Sequence, residues 1–330
     1  MIQFLADNID QLDLALDQLA VSDRNFDRFA LVLVDNVVEL TLHRYVQDKA
    51  SENELWCKLG EPKHDPKTIE KALGQNFDTK VKGARKLGLL DEVHCESILN
   101  LHAFRNTSYH KGLRHEGILH SLAIFYFRNA CVLLSEYEPR GWSWSSNDKI
   151  SYRARKYLGE PQLGDHRKVY LSAYKRLDQV ARSMDSSLKQ DLAADMKSTI
   201  DMIDESIFFL ANEGPEKKSR DAVIIDTQAW SFAFTDEAKE FAKARGCPAK
   251  TVGGFVEWIS VNYEWPEKID PIPRWRIRYD SLAQEVDEHK ALKRYCDFMK
   301  QTEDIRSQIA ESAAQLDGYI QQQIDIARGK

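Results

Sequence analysis

One apolar run constrains the fold of this chain more than any other feature. Residues 118–137, ILHSLAIFYFRNACVLLSEY, place hydrophobic side chains on every face of a helix. Such a helix has to be covered on all sides, so the run predicts a central helix within a bundle. The chain has 330 residues, of which 43% are hydrophobic, and can therefore bury a large core.

The segments before this run supply the helices that cover it. Ser22 and Asp23 stand where the N-cap of one helix is expected, and Asp91 stands where that of a later helix is expected. Apolar residues recur at helical spacing in residues 9–19, 25–48, 68–87 and 91–110, whereas a loop with two prolines and a glycine is predicted at residues 56–67. We therefore predict a mainly α protein whose residues 1–138 form an N-terminal helical bundle.

A stretch rich in tryptophan and serine, EPRGWSWSSND, follows the bundle. We predict a linker at residues 139–150 and a second, mostly helical domain at residues 151–330. Two of its segments can supply short strands, AVIIDTQAWSFAF at 222–234 and RWRIRYD at 274–280, the second because arginines alternate with apolar residues. The remainder, residues 281–328, is predicted to form either two helices or a short coiled segment.

Charge is distributed unevenly along the chain. The net charge is −6, but residues 1–56 carry a local net charge of −7, whereas residues 80–115 carry +4 and residues 151–182 carry +5. Two basic zones in an acidic protein can guide a phosphate backbone into one groove. The simpler alternative is that these charges lie on solvated helix faces.

The composition favours a cytoplasmic protein. The five cysteines contain no Cys-x-x-Cys pair, which gives little support for zinc or disulfides and is typical of a reducing compartment. The first residues, MIQFLADNIDQLDLAL, carry acids inside an apolar run, so we expect no signal peptide. No window approaches about eighteen uninterrupted apolar residues, so we expect no membrane span.

The stretch AFRNTSYHKG is the strongest candidate for chemistry. Arg105 and His110 lie five residues apart at the predicted end of a helix, just before the apolar run. An arginine followed at such a distance by a histidine also occurs at Arg114 and His120, so the spacing alone distinguishes nothing. What separates the first pair is Asn106 directly after the arginine, a combination not expected by chance.

The segment FRNTSYH, between an amphipathic and an apolar helix, resembles the signature of the HEPN superfamily. That signature is an arginine, a polar residue, a short spacer and a histidine, which Arg105, Asn106 and His110 match position by position. The resemblance covers residues 1–138. It implies a HEPN-like helical bundle that forms a homodimer. Many members of the family are metal-independent ribonucleases of toxin–antitoxin, CRISPR-associated or anti-phage systems, so the resemblance also implies this activity.

A second pair leaves the placement of the motif open. Arg114 and His120, with His115 as the polar residue, satisfy the looser form of the pattern. His120 lies inside the apolar run, where a packed core histidine is the simpler interpretation. His115 and His120 are five residues apart, one more than the zinc motif of the zincins requires, so no metal site is predicted.

The helical geometry of the first pair favours a composite site. On a continuous helix, residues five apart are turned about 140° from each other and lie about 7.5 Å apart along the axis. Arg105 and His110 of one chain therefore do not converge on one phosphate, and we predict a homodimer in which the arginine of one chain meets the histidine of the other. Asn106 lies four residues before His110 and can orient its imidazole.

RNA cleavage needs little more than these groups. The ribose 2′-OH attacks the adjacent phosphate, a histidine moves protons and a guanidinium neutralises the developing charge, so no metal or cofactor is required. Tyr109 is predicted to support the catalytic Arg105 and His110. The residues predicted to bind RNA, whether tRNA, rRNA or mRNA, are Lys111, Arg114, Arg274, Arg276 and Arg278. For the last three, a strand with one solvated face is the simpler alternative.

Three hypotheses follow. The preferred one is a metal-independent endoribonuclease that acts as a toxin or anti-phage effector, with an antitoxin or regulatory protein as a partner. The alternative is a non-catalytic helical module that dimerises and binds a protein of a defence or toxin–antitoxin system. A third makes this chain the neutralising or sensing partner of a toxin, with its acidic residues 1–56 imitating nucleic acid.

Overall fold

The computed structural model describes the backbone of residues 2–110, 116–142, 149–159 and 165–328, and their side chains except at residues 59, 108–110 and 116. These described residues form fifteen α-helices and contain no β-strand. The prediction of a mainly α protein is therefore confirmed. The chain divides into two compact units, Met1–Leu192 with Val286–Lys293 and Ala193–Glu285 with Arg294–Lys330.

The first unit contains eight complete helices. They are α1 (Ile2–Leu19), α2 (Arg24–Leu59), α3 (Pro66–Leu73), α4 (Phe77–Lys86), α5 (Glu92–His110), α6 (Glu116–Glu136), α7 (Tyr152–Leu158) and α8 (His166–Arg182), followed by the start of α9 (Leu188–Glu213). Of the two caps predicted for α2, Asp23 is the one observed, since it accepts from the backbone N–H of Asn25 at 2.9 Å. The cap predicted for α5 is confirmed, since Asp91 accepts from the backbone N–H of His94 at 2.8 Å.

The apolar run forms α6, which packs against α1, α2, α5 and α8. Its large side chains, such as Tyr126 and Phe127, are fully buried. By length and composition, Gly117–Glu136 is the one helix of the described residues that could cross a membrane, but 78% of its most apolar stretch is buried inside the protein. Such burial is typical of the core helix of a bundle.

Two predicted boundaries within this unit differ from the structure. Helix α2 continues through the first residues of the predicted loop and ends only at Gly60, whose φ of +136° suits glycine. The helix predicted over residues 68–87 is two helices, α3 and α4. They are separated because the side chain of Asn76 caps α4 by accepting from the N–H of Thr79 at 3.0 Å.

The first unit also extends beyond the predicted linker at residues 139–150, because α7 and α8 pack against α1. Asp13 of α1 is buried and accepts hydrogen bonds from Arg153 (2.8 Å), Lys156 (2.9 Å) and Tyr157 (2.8 Å) of α7. Burial raises the pKa of the Asp13 carboxyl, but these hydrogen bonds outweigh it and the net pKa is lowered. Charges of opposite sign in two distant segments thus neutralise each other inside one unit.

The second unit contains the rest of α9, the end of α14 and five further helices. These are α10 (Arg220–Ala233), α11 (Asp236–Ala244), α12 (Val252–Asn262), α13 (Ile272–Ala283) and α15 (Glu303–Ala327), with α14 at Glu288–Gln301. One buried core joins α10, α11 and α12 around Ala229, Ile259 and Trp265. Of the two arrangements expected for residues 281–328, the two-helix one is confirmed.

Both segments predicted to supply strands are helical. RWRIRYD lies within α13, which starts beside two prolines and buries Ile272, Trp275 and Leu282 at helical spacing, whereas Ile277 is 69% exposed. The strand prediction was wrong because seven alternating residues are too few to distinguish the two-residue period of a strand from the 3.6-residue period of a helix. AVIIDTQAWSFAF lies almost wholly within α10, where Ser219 caps the helix by accepting from the N–H of Ala222.

Candidate functional site

A buried carboxylate lies beside the C-terminal half of α5. Asp35 of α2 is fully buried, and its Oδ1 accepts from the hydroxyl of Tyr126 in α6 at 2.8 Å. The same oxygen lies 2.8 Å from Nδ1 of His102, and Oδ2 lies 3.3 Å from Nε of Arg105, both in α5. We call Asp35, His102, Arg105 and Tyr126 the Asp35 cluster. It joins the three helices at the level of the candidate motif.

The cluster is explained by the cost of burying a charge. A carboxylate removed from water is tolerated only when donors or cations surround it, and here three side chains do so. Burial and the nearby Asp35 charge raise the pKa of the Tyr126 hydroxyl, which therefore remains a donor. The cluster thus fixes the rotation of α5 against α2 and α6.

The imidazole of His102 is held on its other side by Phe77. Their rings are stacked with centroids 3.7 Å apart and planes 7° from parallel. Phe77 is the first residue of α4, so the stack connects α4 to the Asp35 cluster. The position of His102, three residues before Arg105, places both on one side of α5.

Arg105 is held by two neighbours. Its side chain is 27% exposed, its Nε faces Asp35, and its Nη1 donates to Oδ1 of Asn106 at 2.9 Å. Asn106, which was expected to orient His110, therefore uses its amide oxygen on Arg105. The guanidinium has a fixed orientation before any ligand binds.

Helix α5 continues without a break to His110. The turn of about 140° and the rise of about 7.5 Å between Arg105 and His110 therefore apply to this chain. The side chains of Tyr109 and His110 lie outside the described residues. Lys111 and Arg114 lie outside them altogether, as does His115.

His120, the histidine of the alternative pair, belongs to an ion pair between α6 and α2. Its Nδ1 lies 2.7 Å from Oδ1 of Asp27, which is buried. The hydrogen bond from Asp27 raises the pKa of His120 against the opposing effect of burial. This histidine therefore has an intramolecular partner, although a quarter of its side chain is exposed.

The three arginines of RWRIRYD do not form a row. Residues two apart on a helix point about 200° from each other, so Arg276 lies on the face opposite Arg274 and Arg278. Arg274 pairs with Glu267 at 2.7 Å and Arg276 with Asp204 at 2.5 Å. Arg278 lies over an aromatic ring of α14, and burial lowers its pKa. The row of three guanidinium groups that a strand would place on one face is therefore absent from α13.

Sequence reasoning did not identify Asp35 and His102 as residues of the site. A signal for Asp35 is present in the sequence, because it is the one charged residue of the mostly apolar run VLVDNVV. A charge at a core position usually has a partner, and the nearest candidates in the motif region are His102 and Arg105. Among the described residues, no group of three or more His, Cys, Asp or Glu side chains could hold a metal ion.

No family model, curated protein or solved structure matches this chain.

Proposed function

We propose that this chain is a metal-independent endoribonuclease of the HEPN type whose active site is completed by dimerisation. The observation that supports it most is the Asp35 cluster, which holds Arg105 in one orientation five residues before His110 on a continuous helix. A preorganised guanidinium stabilises charge in a transition state better than a mobile one, because its ordering cost is met during folding.

Each group has one task in the proposed reaction. The ribose 2′-OH loses its proton to a solvent water and attacks the adjacent phosphorus, and the bond to the 5′ oxygen of the next nucleotide breaks. Arg105 neutralises the charge that develops on the phosphoryl oxygens, and His110 of the other chain transfers a proton to the leaving oxygen. Asp35 is a positioning residue, since it acts through Arg105.

The proposed setting is that of a cytoplasmic toxin or anti-phage effector, as the resemblance implies. The second unit then serves substrate positioning, regulation or the binding of an antitoxin. Because RNA supplies its own nucleophile, DNA is expected to be inert.

The test uses the full chain, total tRNA and a metal chelator, with 2′,3′-cyclic phosphate ends as the product to be detected. His110→Ala is expected to lower the rate by about 10²–10⁴. Arg105→Lys retains a cation beside Asp35 but lacks the guanidinium fork, so it tests chemistry with little effect on folding. The proposal is wrong if the wild-type chain cleaves no RNA or if both variants cleave at its rate.

Two controls complete this experiment. His94→Ala removes a histidine from the same helix about 24 Å from His110 and is expected to cleave normally. Arg114→Ala combined with His120→Ala tests the alternative pair, and a loss of cleavage in that variant alone would move the motif to those residues.

The second candidate is a non-catalytic dimerisation and protein-binding module. The observation that favours it is the Arg105–Asp35 ion pair, which gives the arginine a structural task inside the unit. It predicts no cleavage by any form of the protein and an effect of Arg105 substitutions on stability alone. The nucleic-acid imitation hypothesis has less support, because Asp13, Asp27 and Asp35 are buried rather than displayed on the surface.

A further inference from the structure

Helices α3 and α4 form an open cleft of about 320 Å³ lined on both sides by lysines. Lys67 and Lys71 project from α3, and Lys82 and Lys86 from α4, each pair at the spacing of one helical turn. We call these four residues the lysine cleft. The one acid in the lining is Asp65, so the lining carries four positive charges and one negative.

The lysine cleft depends on a very close approach of α3 and α4. Gly83 faces Ala72, and a Cβ atom at Gly83 would lie only 2.5 Å from that of Ala72. The hydroxyl of Thr79 further ties the helices together by donating to the carbonyl oxygen of Lys71 at 3.0 Å. The two lysine pairs therefore lie on two helices that are packed closely against each other.

The charges of the cleft are available to a ligand. All four lysines are exposed, and within the described residues no carboxylate lies within 4.0 Å of the ammonium groups of Lys67, Lys71 or Lys86. Lys82 has only a long contact of 3.9 Å with exposed Asp78, which is worth little in water. The carboxylate of Asp65 is occupied in capping α3.

The neighbouring basic residues are engaged elsewhere. Lys80 is buried and donates to the carbonyl oxygen of Gly74 at 2.5 Å, and Arg85 pairs with Glu92 at 3.1 Å. The structure thus divides the basic zone at residues 80–115 into structural cations and part of the lysine cleft, to which Lys67 and Lys71 are added from outside that zone.

The cleft lies on the same helix that contacts the Asp35 cluster. Phe77, at the start of α4, stacks on His102, whereas Lys82 and Lys86 are five and nine residues further along. At 1.5 Å per residue they lie about 7.5 and 13.5 Å from Phe77 along the axis. Around the helix, however, Lys82 and Lys86 are turned about 140° and 180° from Phe77, so an RNA strand that reaches Arg105 has to pass around α4 to enter the cleft.

We propose that the lysine cleft binds the phosphate backbone of single-stranded RNA and so holds the substrate on the unit that contains Arg105. This inference rests on the proposed function in naming RNA as the ligand. Lysines act as point charges without base readout, so the contact is independent of sequence. The cleft is at the small end of ligand-sized clefts and accepts one backbone strand rather than two.

The test measures binding of a fluorescent single-stranded RNA at several salt concentrations, with His110→Ala in every protein to prevent cleavage. The cleft variant combines Lys67→Gln, Lys71→Gln, Lys82→Gln and Lys86→Gln. It is expected to bind about tenfold or more weakly, and its slope of log affinity against log salt is expected to fall by about 3, since each lost phosphate contact contributes about 0.7. Single-stranded DNA is expected to bind similarly, because phosphates are what the cleft contacts.

Two controls make the result specific. Four exposed lysines of the second unit are changed together, Lys243→Gln, Lys250→Gln, Lys268→Gln and Lys300→Gln, which alters the net charge equally and is expected to leave binding within about twofold. Arginine at the four cleft positions retains the charge and is expected to restore binding. Helix content and thermal midpoint show whether each variant is folded.

The outcomes separate the two proposals. Binding that is lost in the cleft variant, in a chain that cleaves no RNA, supports the cleft and contradicts the nuclease. Cleavage by a chain whose cleft and control variants bind RNA alike contradicts the cleft alone. The cleft proposal is also overturned if the wild-type chain binds no RNA, or binds vesicles of anionic phospholipid through these lysines in its place.

Discussion

Asp35 is the residue on which the candidate site depends most. Its carboxylate is hydrogen-bonded to His102 and Tyr126 and forms an ion pair with Arg105, and replacing it with a neutral amide removes the negative charge that these groups surround inside the bundle. We expect Asp35→Asn to lower the free energy of unfolding by about 1–3 kcal/mol, a range reduced because Arg105 is partly exposed. Urea denaturation measures the change.

A matched control for this substitution is Glu54→Gln, an exposed acid on the same helix. It is expected to change the free energy of unfolding by less than about 0.5 kcal/mol. Equal effects of the two substitutions would show that Asp35 contributes nothing beyond its charge. In that case the fixed orientation of Arg105 would lose its explanation.

Among single residues, those of the candidate motif could be recognised in the sequence, whereas most of the Asp35 cluster could not. Arg105, Asn106 and His110 stood out because their spacing and order are local properties of the chain. Asp35 and His102 did not, because they are 67 positions apart and meet only when α2 packs on α5. Such a contact is a property of the fold and has no local pattern.

His120 gives the molecule a predictable pH dependence. Its pKa is raised in the folded state by the hydrogen bond to Asp27, so folding favours its protonated form. This contribution to stability is fully present below the ordinary histidine pKa of about 6.5 and is lost as pH rises through the raised value. The difference in free energy of unfolding between the wild-type chain and His120→Gln is therefore expected to shrink over that window.

His289 provides a comparison of opposite sign. Burial, together with the nearby His94, lowers its pKa, so folding favours its neutral form. The stability it contributes is present above pH about 6.5 and is lost as pH falls towards the lowered value. Urea denaturation of each variant at several pH values gives its difference in free energy of unfolding from the wild-type chain. As pH rises, this difference is expected to shrink for His120→Gln and to grow for His289→Gln. The same pH dependence in both variants would contradict both assignments.

Among the helices, the contact between α3 and α4 is the one most sensitive to a single methyl group. Gly83→Ala would place a Cβ atom 2.5 Å from that of Ala72, and neither backbone can move without disturbing the bundle. We expect it to lower the free energy of unfolding by about 1–3 kcal/mol. Gly318→Ala in α15 meets no atom within 4 Å and is expected to be neutral or to raise stability by up to about 1 kcal/mol.

The elements predicted well from the sequence are the long ones. Helices α2, α5 and α6 were recognised because many turns repeat the same apolar spacing. The short α13 was not, because its seven central residues alternate by coincidence and contain only one of its three buried residues, Trp275, while Ile272 and Leu282 lie outside that segment. Periodicity becomes informative only when the window exceeds about three turns.

For the whole molecule, the boundary between units was the hardest feature to predict. The tryptophan-rich stretch at 138–148 has the composition of a linker, yet Trp142 packs against Tyr170 at a centroid distance of 5.4 Å within the first unit. The acids of α1 and the cations of α7 also belong together, although about 140 residues separate Asp13 from Arg153. Composition describes segments one at a time and cannot show which of them pair.

The last prediction concerns two copies of the chain. If the arginine of one protomer meets the histidine of the other, a dimer of Arg105→Ala with His110→Ala contains one site with both groups and one with neither. An equal mixture of these inactive variants is then expected to recover about a quarter of the wild-type cleavage rate, since about half of the dimers are mixed and each has one working site. The control is a chain that carries both substitutions, Arg105→Ala and His110→Ala. Mixing this double variant with either single variant builds no complete site and is expected to recover no cleavage. A mixture of the single variants that remains inactive, under conditions where subunits exchange, would place both groups in one chain and contradict the composite site.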